Sequence, residues 1–224
     1  MKFDIGNYRS LIKFPPVDQA DEDGLLAWGG NLEPETLVEA YSHGIFPWTV
    51  NPITWWSPDP RAIFEIKGFR LSNRMERMYK NSKFKFTINR AFSSVIRNCA
   101  DPGYKGREQT WISPEFIEAY ERLHELGIAH SVEAWHGEEL AGGLYGVALG
   151  GFFAGESMFY RISNASTLCL RFFMEYLENK GFELFDSQVS TPHTLRLGAR
   201  EIPRNVYLDR LHKALKKDCL IDKI

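Results

Sequence analysis

Two carboxylates and one amide lie in stretches of sequence that otherwise have the pattern of buried strands. Asp186 and Gln188 belong to Phe185–Val189, and Glu156 belongs to Gly155–Phe159. Strand alternation places Asp186 and Gln188 on one face of their strand. A carboxylate in an apolar strand costs free energy unless it is paired or functional. Two such acids beside an amide therefore favour a site for acid–base chemistry.

The structural alternative for Asp186 is an ion pair. A single buried acid is more often held by an arginine than used in catalysis, and the sequence offers Arg161, Arg196 and Arg200 as partners. Both Glu156 and Asp186 lie on predicted core strands, so the sequence allows either of them, or both, to take part in the chemistry.

Tryptophans form a second group of candidate site residues. Trp48, Trp55, Trp56 and Trp111 lie in segments that we predict to be loops or loop borders. Most tryptophans belong to hydrophobic cores, but a tryptophan in a loop can stack on a nucleobase. The tryptophans are therefore candidates to stack on the terminal nucleotide of a nucleic acid.

Positive charge is concentrated in one part of the chain. Residues 65–107, called here the basic block, carry eleven Lys/Arg and three Asp/Glu, a net charge of +8, in a chain whose formal net charge is −2. Such a block is typical of a surface that binds a polyanion. The alternative is a solvated face balanced in space by the acidic blocks on either side, and charge alone favours neither.

The sequence lacks the residue patterns of metal sites, disulfide frameworks and nucleotide-binding loops. The six histidines show no HExxH or comparable spacing, and Cys99, Cys169 and Cys219 form no CxxC pair. We therefore expect neither a metal site nor a disulfide framework. No Gly-x-Ser-x-Gly motif, P-loop or GxGxxG motif is present.

The location of the protein is predicted from what the sequence lacks. No apolar run approaches the roughly 20 residues of a membrane-spanning helix, and the N-terminus shows no signal-peptide pattern. The sparse cysteines fit a reducing compartment. We expect a cytoplasmic protein with no membrane partner.

The elements that must position these residues divide into two parts. With 224 residues, 44% of them hydrophobic, the chain can form one large domain or a domain with a small lobe. Residues 1–60 are rich in turns and include one predicted helix from Pro34 to a stop at Gly44. Ser57–Arg61 marks a boundary before a strand over Ala62–Ile66. We predict a small N-terminal domain over residues 1–62 and a catalytic domain over residues 63–224.

The second part has a mixed order of elements. Helices, an antiparallel hairpin, a helix, a strand and a last helix are typical of an α+β fold with a central sheet covered by helices. We predict a mixed sheet of the N-acetyltransferase-like (GNAT-like) kind. The predicted helices are Asn73–Lys80, Arg90–Ala100, a helix from Ser113 to a stop at Gly127, Asn164–Lys180 and a helix opening at Ile202. The predicted strands are Lys83–Ile88, His130–Trp135, Glu139–Leu149, Phe152–Met158 and Phe182–Val189.

Nine motifs, in order along the chain, resemble one known family. They are Gly24–Leu32, His43–Trp48, Trp55–Arg61, Thr110–Ile112, Gly142–Val147, Gly155–Phe159, Asn164–Ser166, Asp186–Gln188 and Leu197–Ala199 with Ile202–Arg204. On these motifs the sequence resembles the leucyl/phenylalanyl-tRNA–protein transferase family from about residue 14 to residue 211.

The resemblance implies an activity and its partners. It implies a bacterial enzyme of the N-degron pathway, which moves leucine, and less efficiently phenylalanine or methionine, from aminoacyl-tRNA to the N-terminal Lys or Arg of an acceptor protein. It also implies a GNAT-like C-terminal domain and no metal or other cofactor.

The resemblance also implies roles for the candidate residues. Asp186 and Gln188 look like the pair that orients and activates the acceptor amine, with Glu156 nearby. We hypothesise that Asp186, directly or through Gln188, takes the proton of the amine. Trp48 and Trp111 look like platforms for the terminal adenosine of the tRNA. The pocket for the transferred side chain is implied at Leu144, Met158, Phe173, Leu177 and Phe185.

The basic block would hold the acceptor stem of the tRNA through its phosphates, with little reading of sequence. The predicted contacts are Arg74, Arg77, Lys80, Lys83 and Arg90.

Three other functions stay open. An N-acyltransferase using acetyl-CoA would share the fold, but it needs a glycine-rich pyrophosphate loop, and Arg161–Ser166 has no glycine. A ligase that builds peptidoglycan cross-bridges from aminoacyl-tRNA is usually larger and carries a helical arm. A non-catalytic RNA-binding module would explain the basic block but leaves Glu156, Asp186 and Gln188 without a role.

Overall fold

A small sheet forms the N-terminal part of the chain. The computed structural model describes residues 12–101 and 110–222, so the first eleven residues and Lys105 and Arg107 of the basic block lie outside the described residues. Strands β1 (Leu25–Trp28), β2 (Phe46–Val50) and β3 (Ile53–Trp56) form an antiparallel sheet in the order β1-β3-β2.

Helix α1 (Pro34–Ser42) connects β1 to β2. It begins where Pro34 supplies a helical φ at the first turn, and it buries Leu37, Ala40 and Tyr41. Gly44, with a φ of +74°, lets the chain turn back into β2. The predicted helix is confirmed.

A larger sheet of seven strands forms the rest of the framework. Its order is β10-β4-β9-β8-β7-β6-β5. All neighbouring strands are antiparallel except β8 and β9, which are parallel. The strands are β4 (Arg61–Phe64), β5 (Lys85–Ile88), β6 (Ala129–His136), β7 (Glu139–Leu149), β8 (Phe152–Tyr160), β9 (Leu184–Gln188) and β10 (Arg200–Ile202).

Helices cover both faces of the seven-stranded sheet. Adjacent residues of β7 point to opposite sides, because Leu144 joins one buried cluster with Phe173 and Tyr145 joins the other with Phe116. The cluster around Tyr145 also includes buried side chains of α1 and of the small sheet, so the two sheets share a core. The remaining helices are α2 (Asn73–Lys80), α3 (Phe92–Ala100), α4 (Pro114–Glu125), α5 (Ala165–Asn179), α6 (Pro192–Arg196) and α7 (Arg204–Ala214).

The parallel strands β8 and β9 pair over only three residues. Their register ends at Ala154 opposite Asp186. Beyond that point β8 continues to Tyr160, while β9 ends at Gln188. The two strands therefore separate and leave a cleft in the middle of the sheet.

The predicted α+β arrangement, with a small N-terminal sheet and a larger mixed sheet covered by helices, is confirmed. The domain boundary at residue 62 and the GNAT-like assignment stay predictions. None of the described helices has the length and apolar character needed to cross a membrane.

Three local predictions differ from the structure. The helix expected to open at Ile202 begins at Arg204, because Ile202 is the last residue of strand β10. The helix expected from Arg90 begins at Phe92, because Asn89 has a left-handed φ of +59° and the buried Glu133 carboxylate accepts the backbone N–H groups of Arg90 and Ala91. Trp48, Trp55 and Trp56, predicted in loops or at loop borders, lie in strands β2 and β3, with Trp56 at the last position of β3.

Candidate active site

A cavity of about 250 Å³ occupies the cleft between β8 and β9. Its walls come from the five strands β2, β4, β7, β8 and β9, from Trp111, and from the chain that follows β9. Leu144, Met158, Phe64 and Phe185 form an apolar side, and Trp48 and Trp111 lie on its border. Glu156 and Gln188 are the polar side chains of the cavity that the sequence predicted as reactive groups.

Glu156 is buried in the cavity wall and is held by neutral donors. Its Oε1 accepts the Tyr41 hydroxyl at 2.7 Å and Gln188 Nε2 at 2.8 Å, and its Oε2 accepts the Tyr120 hydroxyl at 3.2 Å. Burial raises the pKa of Glu156 from 4.5 to about 7, although hydrogen bonds from the two tyrosines partly oppose the rise. A carboxylate has about four acceptor positions, so Oε2 retains one for a further donor.

Gln188 is held in an uncommon backbone conformation at the end of β9. Its φ is +63°, in the left-handed region that non-glycine residues seldom adopt. Its backbone N–H donates to Asp186 Oδ1 at 2.8 Å, while its side chain donates to Glu156. These two bonds fix the amide at the cavity wall and offset the local strain.

Asp186 lies behind the cavity wall, fully buried, and is ion-paired. Arg61 Nε donates to Oδ1 at 2.9 Å and Arg61 Nη2 donates to Oδ2 at 2.7 Å, while the Tyr207 hydroxyl donates to Oδ2 at 2.9 Å. With the Gln188 N–H, four donors fill the acceptor positions of this carboxylate. The ion-pair alternative was right in kind, but none of the three arginines offered for it is the partner that the structure shows.

Arg61 is itself fixed on all sides. Its Nη1 donates to the Gly44 carbonyl at 2.9 Å, and its guanidinium lies between the rings of Phe46, at 4.8 Å, and Tyr207, at 4.5 Å. Burial alone would lower the pKa of Arg61, but the adjacent Asp186 carboxylate raises it above its usual value. The pair is therefore charged and has fixed geometry.

The residues implied for the transferred side chain fall into two layers. Leu144, Met158 and Phe185 line the cavity. Phe173 and Leu177 lie behind it, fully buried in the same cluster. Phe173 packs against Phe153 with ring centroids 4.7 Å apart, and Phe153 packs against Phe185 at 5.1 Å.

The two implied adenosine platforms lie at the same cavity. Trp48 is the extra residue of a bulge in β2, between Pro47 and Thr49, and such a bulge redirects a side chain. Trp48 packs edge-on against Trp56, with centroids 5.2 Å apart. Trp111 packs edge-on against Phe116 of α4 at the same distance.

Part of the basic block lines a groove of its own. Arg74, Arg77 and Lys83 line a groove with Ser163 and Asn164, at the start of α5. Lys80 is exposed on α2, and the Arg90 guanidinium lies 5.2 Å from the centroid of the Trp135 ring.

Sequence reasoning missed Arg61, Tyr41, Tyr120 and Tyr207. Arg61 closes the motif Trp55–Arg61, which was a signal that it had a defined role. The three tyrosines lie on apolar helix faces, and nothing local distinguishes them from core residues. Within residues 12–101 and 110–222, no group of His, Cys, Asp and Glu side chains is arranged to hold a metal ion.

Comparisons with known proteins identify the family of the chain. The family model described as leucyl/phenylalanyl-tRNA protein transferase matches residues 63–212, and the model of the N-terminal domain of that family matches residues 30–59. The chain belongs to the leucyl/phenylalanyl-tRNA–protein transferase family. It is therefore an aminoacyltransferase, as the resemblance implied.

Individual relatives bearing that family name match nearly the whole chain. A protein of Anaeromyxobacter sp. (strain Fw109-5) is 50% identical over 211 residues, 93% of this chain and 90% of that protein. A protein of Erwinia tasmaniensis is 49% identical over 216 residues, 93% of each chain. A solved structure, of L-PGS from Bacillus licheniformis, covers 83% of this chain and 71% of its own with a TM-score of 0.45 and 11% identity, a likeness too weak to carry an argument.

Proposed function

We propose that this family member transfers leucine, and also phenylalanine and methionine, from aminoacyl-tRNA to the N-terminal Lys or Arg of acceptor proteins. Proteins modified in this way would be marked for degradation by the N-degron pathway. The observation that carries the proposal is the cavity at the strand split, where an apolar pocket adjoins the Glu156–Gln188 pair.

The apolar side of the cavity supports a small hydrophobic aminoacyl group. Leu144, Met158 and Phe185 would receive the side chain, and the buried layer of Phe173 and Leu177 would limit its depth. Such a pocket separates side chains that differ by one methylene by only about 1–3 kcal/mol. Transfer of more than one hydrophobic amino acid is therefore expected.

The reaction needs a deprotonated amine and a well-placed ester. The nitrogen of the acceptor amine forms a bond to the carbonyl carbon, the ester C–O bond breaks, and the tRNA leaves with its terminal hydroxyl protonated. A free α-amine has a pKa of about 7.7–8.0, so a modest base near pH 7 suffices. Positioning supplies much of the remaining rate.

Glu156 fits the role of that base better than Asp186. Its pKa of about 7 is matched to the amine, and Oε2 retains an acceptor position beside the cavity. Its carboxylate would also pair with a cationic acceptor. The amide oxygen of Gln188 would accept the second N–H of the amine.

Asp186 fits the role of a positioning residue. Its four acceptor positions are filled by Arg61, Tyr207 and the Gln188 N–H. It would hold the backbone of Gln188 so that the amide meets Glu156 and the incoming amine. This assignment differs from the hypothesis that Asp186 takes the proton.

The tRNA would bind in two ways. Trp48 and Trp111 would stack on the terminal adenosine, and Arg74, Arg77, Lys80, Lys83 and Arg90 would contact phosphates. Transfer should then weaken as salt rises, because phosphate contacts release counterions. A rate independent of salt would contradict phosphate docking by the basic block.

The test is a transfer assay with tRNA charged with labelled leucine. Two peptides that differ only in an N-terminal Arg or Ala serve as acceptors. Label on the Arg peptide alone is expected. Label on neither peptide, with tight tRNA binding retained, would favour the RNA-binding module, and equal label on both would overturn the acceptor rule.

A further inference from the structure

One large apolar side chain of the small sheet is unusually exposed. Trp28, the last residue of β1, has 74% of its surface accessible to solvent. Tryptophan is enriched among the residues that anchor protein interfaces. It also attracts Lys and Arg side chains to its ring face.

Trp28 lies on the same face as the aromatic wall of the cavity. It pairs directly with Thr54 of β3, so the two side chains share a face. Trp56 Nε1 donates to Thr54 Oγ1 at 2.9 Å, and the Trp56 ring lies 5.2 Å from that of Trp48. Trp56, Thr54 and Trp28, called here the tryptophan row, thus run from Trp48 at the cavity to the edge strand β1.

The segment that carries the tryptophan row is acidic. Residues 14–60 contain eight Asp/Glu and no Lys or Arg. Glu22 and Asp23 are exposed immediately before β1. A phosphodiester chain would meet repulsion here, whereas a cationic polypeptide would be attracted.

We propose that the tryptophan row docks the acceptor polypeptide just beyond its N-terminal residue and favours acceptors with Lys or Arg in that stretch. This inference rests on the proposed transfer to protein N-termini. One cationic side chain would lie on the Trp28 ring at the end of β1, and another, farther along the segment, would pair with Glu22 or Asp23 before the start of β1. The outer edge of β1 lets an extended segment lie alongside it.

The test uses three acceptors that share an N-terminal Arg. Two are peptides of equal length with either basic or acidic residues at positions 3–8, and the third is an Arg dipeptide amide too short to reach β1. With Leu-tRNA saturating, Trp28→Ala should raise KM for the basic peptide about five- to tenfold. The rate with the dipeptide and the KM for Leu-tRNA should not change.

Two control variants separate this effect from a general loss of surface. Leu220→Ala removes another exposed apolar side chain and should leave every KM unchanged. Glu22→Lys with Asp23→Lys should raise KM for the basic peptide and lower it for the acidic one. Glu118→Lys, an exposed charge reversal on α4, should do neither.

The outcomes separate the two proposals. If Trp28→Ala transfers leucine with an unchanged KM for both long peptides, the docking proposal is overturned and the proposed function stands. A raised KM for Leu-tRNA would assign the tryptophan row to RNA and likewise overturn it. Failure of the unaltered protein to transfer leucine to any of the three acceptors would overturn the proposed function.

Discussion

The two buried carboxylates of the site lie on neighbouring strands but in opposite electrostatic surroundings. Asp186 on β9 meets a guanidinium through two hydrogen bonds. Glu156 on β8 meets two phenols and an amide, all neutral. The same chemical group is therefore paired with a cation at one position and made titratable near pH 7 by burial at the other. The surroundings of the two carboxylates give them different roles, which the following variants test.

The largest effect is expected from separating the ion pair. Arg61→Met would leave Asp186 buried without its cation, and loss of one partner of such a pair costs about 3–5 kcal/mol of unfolding free energy. Urea denaturation at pH 7 measures it. Arg61→Met combined with Asp186→Leu removes both charges and should recover most of the loss. A loss below about 1 kcal/mol in the single variant would show that the pair is not needed for stability.

Removing the titratable acid should affect the rate and spare the fold. Glu156→Gln keeps the shape but loses the base, and we expect kcat to fall about 10²-fold. The free energy of unfolding at pH 7 should stay within about 1 kcal/mol of the unaltered protein. Single-turnover transfer at saturating substrates gives the rate. A kcat within twofold of that of the unaltered protein would show that Asp186 or solvent, and not Glu156, accepts the proton.

The raised pKa of Glu156 predicts a pH-dependent stability. The folded value, about 7, lies above the unfolded value near 4.5, so the folded state favours the protonated acid. This contribution is fully present below about pH 4.5 and is lost as pH rises through 7. Glu156→Gln should therefore gain stability relative to the unaltered protein between pH 5 and pH 8, by roughly 1 kcal/mol or more. Denaturation curves of both proteins at pH 5 and pH 8 measure this gain. An equal difference in unfolding free energy at the two pH values would refute the raised pKa of Glu156.

The smallest effect is expected from one phenolic donor. The Tyr41 hydroxyl bonds Glu156 and lowers its pKa. Tyr41→Phe should therefore move the midpoint of the kcat–pH profile upward, by about half a unit to one unit. Tyr79→Phe alters a half-buried hydroxyl that bonds Glu175 and is the matched control. A downward shift in Tyr41→Phe would show that the phenol does not stabilise the ionised acid.

Local pattern predicted much of the framework. Pro34 and Ser113 mark helix starts that the structure confirms, because capping and first-turn preferences act within a few residues. Alternation predicted the strand at Lys83–Ile88, and the Gly150–Gly151 turn predicted the hairpin of Glu139–Leu149 with Phe152–Met158. The strands of the small sheet were missed, since prolines and bulges interrupt their period.

By itself the sequence determined the residue types of the site, the order of most elements and the family, because motifs and periodicity are local properties. Only the tertiary structure decided which arginine faces Asp186. Arg61 lies 125 positions away and meets it only because β4 pairs with β9. The same holds for the pKa of Glu156, which depends on burial beneath α1 and α4 and on its neutral partners Tyr41, Tyr120 and Gln188. Such contacts arise from sheet order and helix packing, which no local pattern encodes.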